Sequence, residues 1–207
     1  MPSRSLLSLF RLAAFTLAAA FTCSVFAAPA IGQPAPAFTA VTADGKTLSL
    51  DSLKGKTVIL EWTNHDCPFV GKHYGSGNMQ ALQKDAAAKG YVWLQVISSA
   101  PGKQGHVDGP AAIKLNASRN AAPSNTLLDP EGKIGKLYGA QTTPHMYLID
   151  ANGVLIYKGG IDSLATTDKA DIAKAEPYFA NALATHAAGR KINPDNTKPY
   201  GCSVKYE

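Results

Sequence analysis

The chain has 207 residues, with 20 basic and 15 acidic side chains and a formal net charge of +5 at pH 7. Two of these charges, Arg4 and Arg11, lie in an N-terminal leader, and no basic run interleaved with aromatic residues accounts for the remaining +3. The composition therefore argues against a nucleic-acid partner. Without the leader, about 180 residues remain, enough for one domain with a sizeable core.

The leader has the pattern of a secretory signal peptide. Residues 12–21 are apolar but too few to span a bilayer, and Val25-Phe26-Ala27 offers small residues for cleavage after Ala27. We predict that residues 1–27 are a signal peptide, that the protein is exported to the periplasm of a bacterium, and that it has no stable membrane insertion. Cleavage removes Cys23 and leaves two cysteines, Cys67 and Cys202, in a compartment where disulfides persist.

The predicted elements alternate between strands and helices. Alternating residues around Asp44-Gly45 indicate a hairpin, and TVILEW (57–62) is typical of a buried strand. A helix from Asn78 to Gly90, the strand YVWLQVIS, a helix over 111–120 and the strand NTLLD follow in chain order. The short helix EGKIGKLYGA comes next, and then a hairpin with a type I′ turn at Asn152-Gly153. The last element is a helical stretch over 168–188 that starts or kinks at Pro177. This order predicts an α/β fold with a mixed sheet.

Cys67 stands where many redox proteins have the first cysteine of a C-x-x-C motif, but Val70 replaces the second. Pro68 suits the first turn of a helix, so Cys67 is predicted at a helix N-terminus, whose free N–H groups stabilise a thiolate. Cys202 has three interpretations: it resolves an oxidised Cys67, forms a structural disulfide with it, or remains a free thiol in the tail.

Three segments resemble the redoxin group of the thioredoxin fold. This group includes peroxiredoxins (AhpC/TSA-like proteins) and exported thiol-disulfide reductases, and the resemblance is to an exported peroxiredoxin-like subgroup. They are TVILEWTNHDCP, TLLDPEGKIGKLYGAQTTPHMYLID and GVLIYKGGIDS; the tail PYGCSVKY is similar to that of a peroxiredoxin-like subgroup. The resemblance implies a thioredoxin-like three-layer fold with a central mixed β-sheet, an N-terminal hairpin extension, and a C-terminal helix plus tail. It places a redoxin domain over residues 28–163 and an extension of the same domain, with the Cys-containing tail, over 164–207.

The same resemblance implies an exported thiol oxidoreductase with Cys67 as redox nucleophile and Cys202 as resolving cysteine. Its substrate would be a peroxide or a protein disulfide, and its electron donor an unidentified thiol. Peroxiredoxins carry a threonine where this chain has Asn64 and a proline where it has Leu60, and no equivalent of their site arginine is evident. Two alternatives therefore stay open: a disulfide reductase or isomerase of exported proteins, and a non-catalytic binding module of the same fold.

The resemblance also implies that Pro144 follows a cis peptide bond and faces Cys67, and with Glu61 it completes the predicted catalytic set. Glu61 is either a buried acid that exchanges protons with the sulfur or a solvated residue at a strand end. Thr143 is a candidate for substrate binding. Thr63, one position before the threonine of the family pattern, is another.

Three histidines near these segments receive different predictions. His65 and His145 are further candidates for substrate binding, whereas His73 is predicted on the surface of a helix. The spacing of His and Cys residues matches no metal site, and we expect neither a metal nor another cofactor.

Overall fold

A computed structural model of the protein describes residues 28–207, so the predicted signal peptide and Cys23 lie outside the described residues. The strands of this part are β1 (Thr39–Thr42), β2 (Thr47–Ser49), β3 (Val58–Trp62), β4 (Val92–Ile97), β5 (Asn125–Leu128), β6 (Thr142–Thr143), β7 (His145–Ile149), β8 (Leu155–Gly159) and β9 (Cys202–Ser203). The α-helices are α1 (Pro68–Gly75), α2 (Asn78–Ala88), α3 (Gly109–Ser118), α4 (Lys133–Tyr138) and α5 (Tyr178–Ala187).

Seven of these strands form one mixed sheet in the order β2-β1-β5-β4-β3-β7-β8. The central strands β3, β4 and β5 are parallel, whereas β7 and β1 pair antiparallel with β3 and β5 respectively. The N-terminal hairpin β1–β2 extends one edge of the sheet through the pairing of β1 with β5. The predicted mixed sheet is confirmed.

The sheet separates two apolar cores, because successive side chains of a strand point to opposite faces. On β3, Leu60 and Trp62 pack into one core with Tyr147, whereas Ile59 packs into the other with Cys67. The Cys67 side of the sheet is covered by residues of α1, α2 and α5, and the opposite side by residues of α4 and the N-terminal segment. The predicted three-layer arrangement is confirmed.

The loop between β7 and β8 differs from the predicted type I′ turn. Such a turn needs positive φ at both central residues, but Asn120 is the only non-glycine residue with positive φ in the described part of the chain. The Asp150 carboxylate instead accepts hydrogen bonds from the backbone N–H groups of Asn152 (2.9 Å) and Val154 (2.8 Å). Only Gly153 is left-handed, with φ 80°, so a five-residue loop replaces the tight turn.

The stretch predicted as helical over 168–188 is two separate elements. A 3₁₀ turn covers Lys169–Ala173, and α5 begins directly after its N-cap residue Pro177. The prediction that Pro177 starts a helix is correct, because proline lacks the N–H that a helix interior needs.

The C-terminal tail returns to the middle of the molecule. Its strand β9 pairs antiparallel with β6, which sets Cys202 opposite Thr143. This pairing brings a cysteine from the end of the chain to the N-terminus of α1.

Candidate active site: two cysteines at a helix N-terminus

Cys67 is the N-cap residue of α1 and Pro68 is the first residue of that helix, as the sequence predicts. The Cys67 thiol lies 3.1 Å from the Thr143 carbonyl oxygen, to which it donates. The backbone N–H of Cys202 donates to the Cys67 sulfur at 3.4 Å, across a sequence separation of 135 positions. The Thr143–Pro144 peptide bond is cis, as predicted. Cys67, Thr143, Pro144 and Cys202 therefore form a single site.

The surroundings of Cys67 favour its thiolate. Burial alone would raise the pKa of this thiol, but hydrogen bonds from the Cys202 thiol and from the backbone N–H groups of Val70 and Cys202 lower it below its ordinary value. Burial and the neighbouring Cys67 raise the pKa of Cys202 to about 11. The pair therefore loses its first proton preferentially from Cys67, while Cys202 keeps its own.

Both cysteines are free thiols, but they differ in exposure. Cys67 is only 1% exposed, whereas Cys202 is half-buried. The tail thus covers the Cys67 sulfur, whose pKa is lowered, and leaves Cys202 more exposed to solvent. In this closed arrangement the backbone N–H of Cys202 lies within hydrogen-bond distance of the Cys67 sulfur.

Glu61 is fully buried, so of its two predicted environments the structure has the buried one and not the solvated strand end. Its carboxylate accepts hydrogen bonds from the Tyr74 hydroxyl (2.7 and 3.0 Å) and the Trp93 indole N–H (2.7 Å). Burial raises the pKa of Glu61, against opposing effects of the Arg119 charge and these hydrogen bonds. Within residues 28–207, neither carboxylate oxygen is hydrogen-bonded to Cys67. The observed contacts of Glu61 fasten α1, through Tyr74, to the sheet.

The other three predicted binding residues make no hydrogen bond to either cysteine within residues 28–207. Thr63 is buried, and its hydroxyl has no hydrogen-bond partner in the described chain. His65 Nε2 lies 3.3 Å from Asp66 Oδ1. The His145 ring packs at a tilt against Tyr147, with ring centroids 4.6 Å apart, and Tyr147 belongs to the core on the opposite face of the sheet from Cys67. A substrate-binding role for these three residues therefore remains a prediction.

Asn64 occupies the position where peroxiredoxins carry a threonine, and it organises the loop before Cys67. Its carbonyl accepts the Cys67 N–H at 3.1 Å, and its side-chain oxygen accepts the Asp66 N–H at 2.9 Å. Its side-chain amide donates to the Gln104 carbonyl at 3.3 Å. The residue therefore supports the loop conformation, and within the described residues its amide makes no hydrogen bond to either cysteine.

The sequence prediction missed a buried polar cluster on the flank of α1. His73 is fully buried, so its predicted surface position is wrong. Its ring nitrogen Nε2 lies 3.2 Å from the Tyr200 hydroxyl, and the adjacent Lys72 forms a buried ion pair with Asp162. Tyr200 precedes Cys202 by two residues, which is the only sequence signal that links this cluster to the site.

The fold and this cysteine pair define a thiol oxidoreductase of the thioredoxin-like class. The AhpC/TSA family profile matches residues 31–158, more than half of the chain, so the protein belongs to the AhpC/TSA family. This confirms the predicted resemblance.

Individual relatives are distant. The chain is 28% identical over 162 residues to the thiol peroxidases of Mycobacterium bovis and Mycobacterium tuberculosis, with 77% of this chain and 90% of those proteins covered. An uncharacterised conserved protein from Geobacillus kaustophilus has a similar fold, with a TM-score of 0.72, 21% identity, and coverage of 89% of this chain and 94% of that one. A hypothetical protein from Sinorhizobium meliloti also gives 0.72, at 19% identity, with 87% and 97% covered.

Two further observations bear on partners. No helix within residues 28–207 is both long and apolar enough to cross a membrane. In the same range, no group of three or more His, Cys, Asp or Glu side chains is arranged to hold a metal ion.

Proposed function

We propose that the protein is an exported, peroxiredoxin-like thiol oxidoreductase in which Cys67 is the redox nucleophile and Cys202 the resolving cysteine. The contact between the two cysteines at the N-terminus of α1 is the observation that carries this proposal. The signal-peptide pattern of residues 1–27 supports export, and the likeness to mycobacterial thiol peroxidases supports a peroxide substrate.

The proposed chemistry has two steps. The Cys67 thiolate attacks the terminal oxygen of a hydroperoxide, which breaks the O–O bond; the sulfur becomes a sulfenic acid and the peroxide leaves as an alcohol after taking up a proton. The Cys202 sulfur then attacks the sulfenic sulfur, forms the disulfide and releases water. Two equivalents of an external thiol restore the dithiol and leave as a disulfide.

The pKa order of the two thiols supports these roles. A nucleophile is more reactive as a thiolate, and the hydrogen bonds at Cys67 lower the pKa of that thiol. When an external thiol later attacks the disulfide, the better leaving group is the sulfur with the lower pKa. Attack at the more exposed Cys202 therefore releases Cys67 as the thiolate that starts the next cycle.

The test is the stoichiometric reaction of reduced protein with one equivalent of hydrogen peroxide. We expect the wild type to lose two thiols, Cys202→Ser to stop at a sulfenic acid that dimedone traps, and Cys67→Ser to react at the slow rate of an ordinary thiol. Equally slow thiol loss in the wild type and Cys67→Ser would overturn the peroxidase proposal.

A second candidate function, reduction or isomerisation of disulfides in exported proteins, is favoured by the Asn64 side chain. Its amide donates a hydrogen bond to the Gln104 carbonyl, so this donor is engaged by the loop and is not free to polarise a peroxide as the threonine of peroxiredoxins does. Under this function Cys202→Ser accumulates mixed disulfides through Cys67, visible on non-reducing gels. Fast peroxide consumption without trapped partners would exclude it.

A further inference from the structure

A second buried polar cluster lies beside the cysteine pair and takes no part in the proposed chemistry. Lys72, only 1% exposed, donates from Nζ to Asp162 Oδ2 at 3.1 Å and to the Leu164 carbonyl at 2.9 Å. The Tyr200 hydroxyl donates to the other oxygen of Asp162. It also lies 3.4 Å from Lys72 Nζ and 3.2 Å from His73 Nε2. The hydroxyl of one tail residue thus completes a buried ion pair.

The tautomer of His73 fits this arrangement. The Asn78 side-chain amide donates to His73 Nδ1 at 2.8 Å, which places the ring proton on Nε2, facing the Tyr200 oxygen. Burial lowers the pKa of His73 to about 4, with Asp162 opposing and Lys72 adding to the shift, so the ring is neutral at pH 7. The Tyr200 oxygen therefore accepts hydrogen bonds from Lys72 and His73, and its hydroxyl donates one to Asp162. Each polar group of the cluster thus has a hydrogen-bond partner.

The cluster joins the two structural elements that carry the cysteines. Lys72 and His73 belong to α1, the helix that has Cys67 at its N-terminus, whereas Tyr200 lies two residues before Cys202. The Tyr200 ring also packs edge-on against Phe69 of α1, with centroids 5.7 Å apart. Tyr200 consequently fixes the tail to the same helix that positions the nucleophile.

Beyond Cys202 the tail is held by its own set of contacts, among them the Tyr206 hydroxyl, which donates to the Ala140 carbonyl at 2.8 Å. The Val204 N–H donates to the Gln141 carbonyl at 3.0 Å, and the Lys205 carbonyl accepts the Ala100 N–H at 2.9 Å. Between the cluster and these bonds lies Gly201, with φ 130°. A Cβ at Gly201 would lie 2.0 Å from the Thr143 carbonyl oxygen, so the tail crosses the site in close contact.

We propose that Tyr200 is a positioning residue for Cys202, and that its hydroxyl keeps the tail closed over Cys67. Release of this hydroxyl from Asp162 lifts the segment around Cys202 and uncovers the Cys67 sulfur. The inference rests on the proposed resolving role of Cys202, because the hydroxyl acts by holding that thiol in reach. Loss of one hydrogen bond to a charged group shifts an equilibrium by about tenfold or more, which sets the expected size of the effect.

The test measures alkylation of each cysteine in reduced protein by iodoacetamide, resolved by mass spectrometry of tryptic peptides. In the wild type we expect Cys67 to react more slowly than Cys202. In Tyr200→Phe, which keeps the ring against Phe69, the Cys67 rate should rise by about tenfold. The Cys202 rate should rise by a smaller factor, because Cys202 is only half-buried in the wild type. Tyr178→Phe is the matched control, because its hydroxyl has no hydrogen-bond partner in the described chain, and it should leave both rates unchanged.

A double-mutant cycle separates release of the tail from general loosening of the fold. Asp162→Asn weakens the bond from the Tyr200 hydroxyl and also removes the charge that pairs with Lys72, so it too should accelerate alkylation of Cys67. Combined with Tyr200→Phe its effect should be less than additive, because both substitutions act on the bond between Tyr200 and Asp162. Additive effects, or an unchanged Cys67 rate in Tyr200→Phe, would overturn the proposal. Should Asp162→Asn fail to fold, the Tyr200→Phe and Tyr178→Phe comparison still decides. The assay contains no peroxide, so its failure and the failure of the peroxidase proposal are distinguishable.

Discussion

Oxidation of Cys67 and Cys202 to a disulfide should stabilise the fold strongly. The disulfide would close a loop of 135 residues, and the loop-entropy relation gives about 5 kcal/mol at about 25 °C for a loop of that length. Strain should subtract little, because the Cys202 N–H already contacts the Cys67 sulfur in the reduced protein and β9 already pairs with β6. The free energy of unfolding should therefore differ by several kcal/mol between the two redox states.

Urea unfolding of oxidised protein and of protein held reduced measures this difference. With an m-value of about 2 kcal/mol per molar, the midpoint should move upwards by about 2 M on oxidation. The Cys67→Ala/Cys202→Ala double variant is the control and should unfold at the same urea concentration under both conditions. A difference below about 1 kcal/mol in the wild type would refute the view that the tail docks without strain.

Three other outcomes follow from the site and the core. Tyr74→Phe should lower the free energy of unfolding by about 2–3 kcal/mol, because it removes a buried hydrogen bond to the Glu61 carboxyl group. Urea titrations measure this change, and a loss under about 0.5 kcal/mol would contradict the role of Tyr74. Thiolate absorbance at 240 nm should show a first titration step below the ordinary pKa of about 8.5 in the wild type. In Cys202→Ala a single step should come at higher pH, because the Cys202 thiol no longer donates to Cys67 while the backbone donors remain. Coincident first steps would argue against the thiol–thiol hydrogen bond. Burial lowers the pKa of His145 to about 3, so the unfolded chain binds a proton there below about pH 6.5 while the folded protein does not. The free energy of unfolding should therefore fall between about pH 6.5 and 4, and less steeply in His145→Gln. Equal slopes in the wild type and His145→Gln would contradict this.

The sequence predicts most of the main sheet because the signals are local. TVILEW and YVWLQVIS are β-branched and apolar, and they form the adjacent parallel strands β3 and β4. The position of Cys67 before α1 was predictable from a short segment as well, because Pro68 suits the first turn of a helix. The cis bond before Pro144 was predicted from the resemblance to redoxins. The second cis bond, Asn193–Pro194, lies in the tail, where no local pattern distinguishes it.

What the sequence leaves open depends on contacts between distant parts of the chain. The environment of Glu61 depends on Tyr74 and Trp93, which no local pattern relates to it. The direction of His145 follows from the two-residue period of β7, which puts it on the face of Tyr147 and away from Met146, a neighbour of Cys67 in the core. That argument was available from the sequence once β7 was predicted.

The polar cluster at Tyr200 was beyond sequence reasoning for a different reason. Lys72 and Tyr200 are separated by 128 positions, and each residue is ordinary in its local segment. A lysine and a histidine on a helix are normally exposed, so only the tertiary contact with Asp162 explains their burial.

Mass spectrometry of tryptic peptides after one equivalent of hydrogen peroxide tests the central claim most directly. We predict a single intramolecular disulfide that links the peptides of Cys67 and Cys202, with one peroxide consumed for each disulfide formed. Peptides in which both cysteines remain reduced, or in which Cys202 is oxidised while Cys67 is not, would contradict the account.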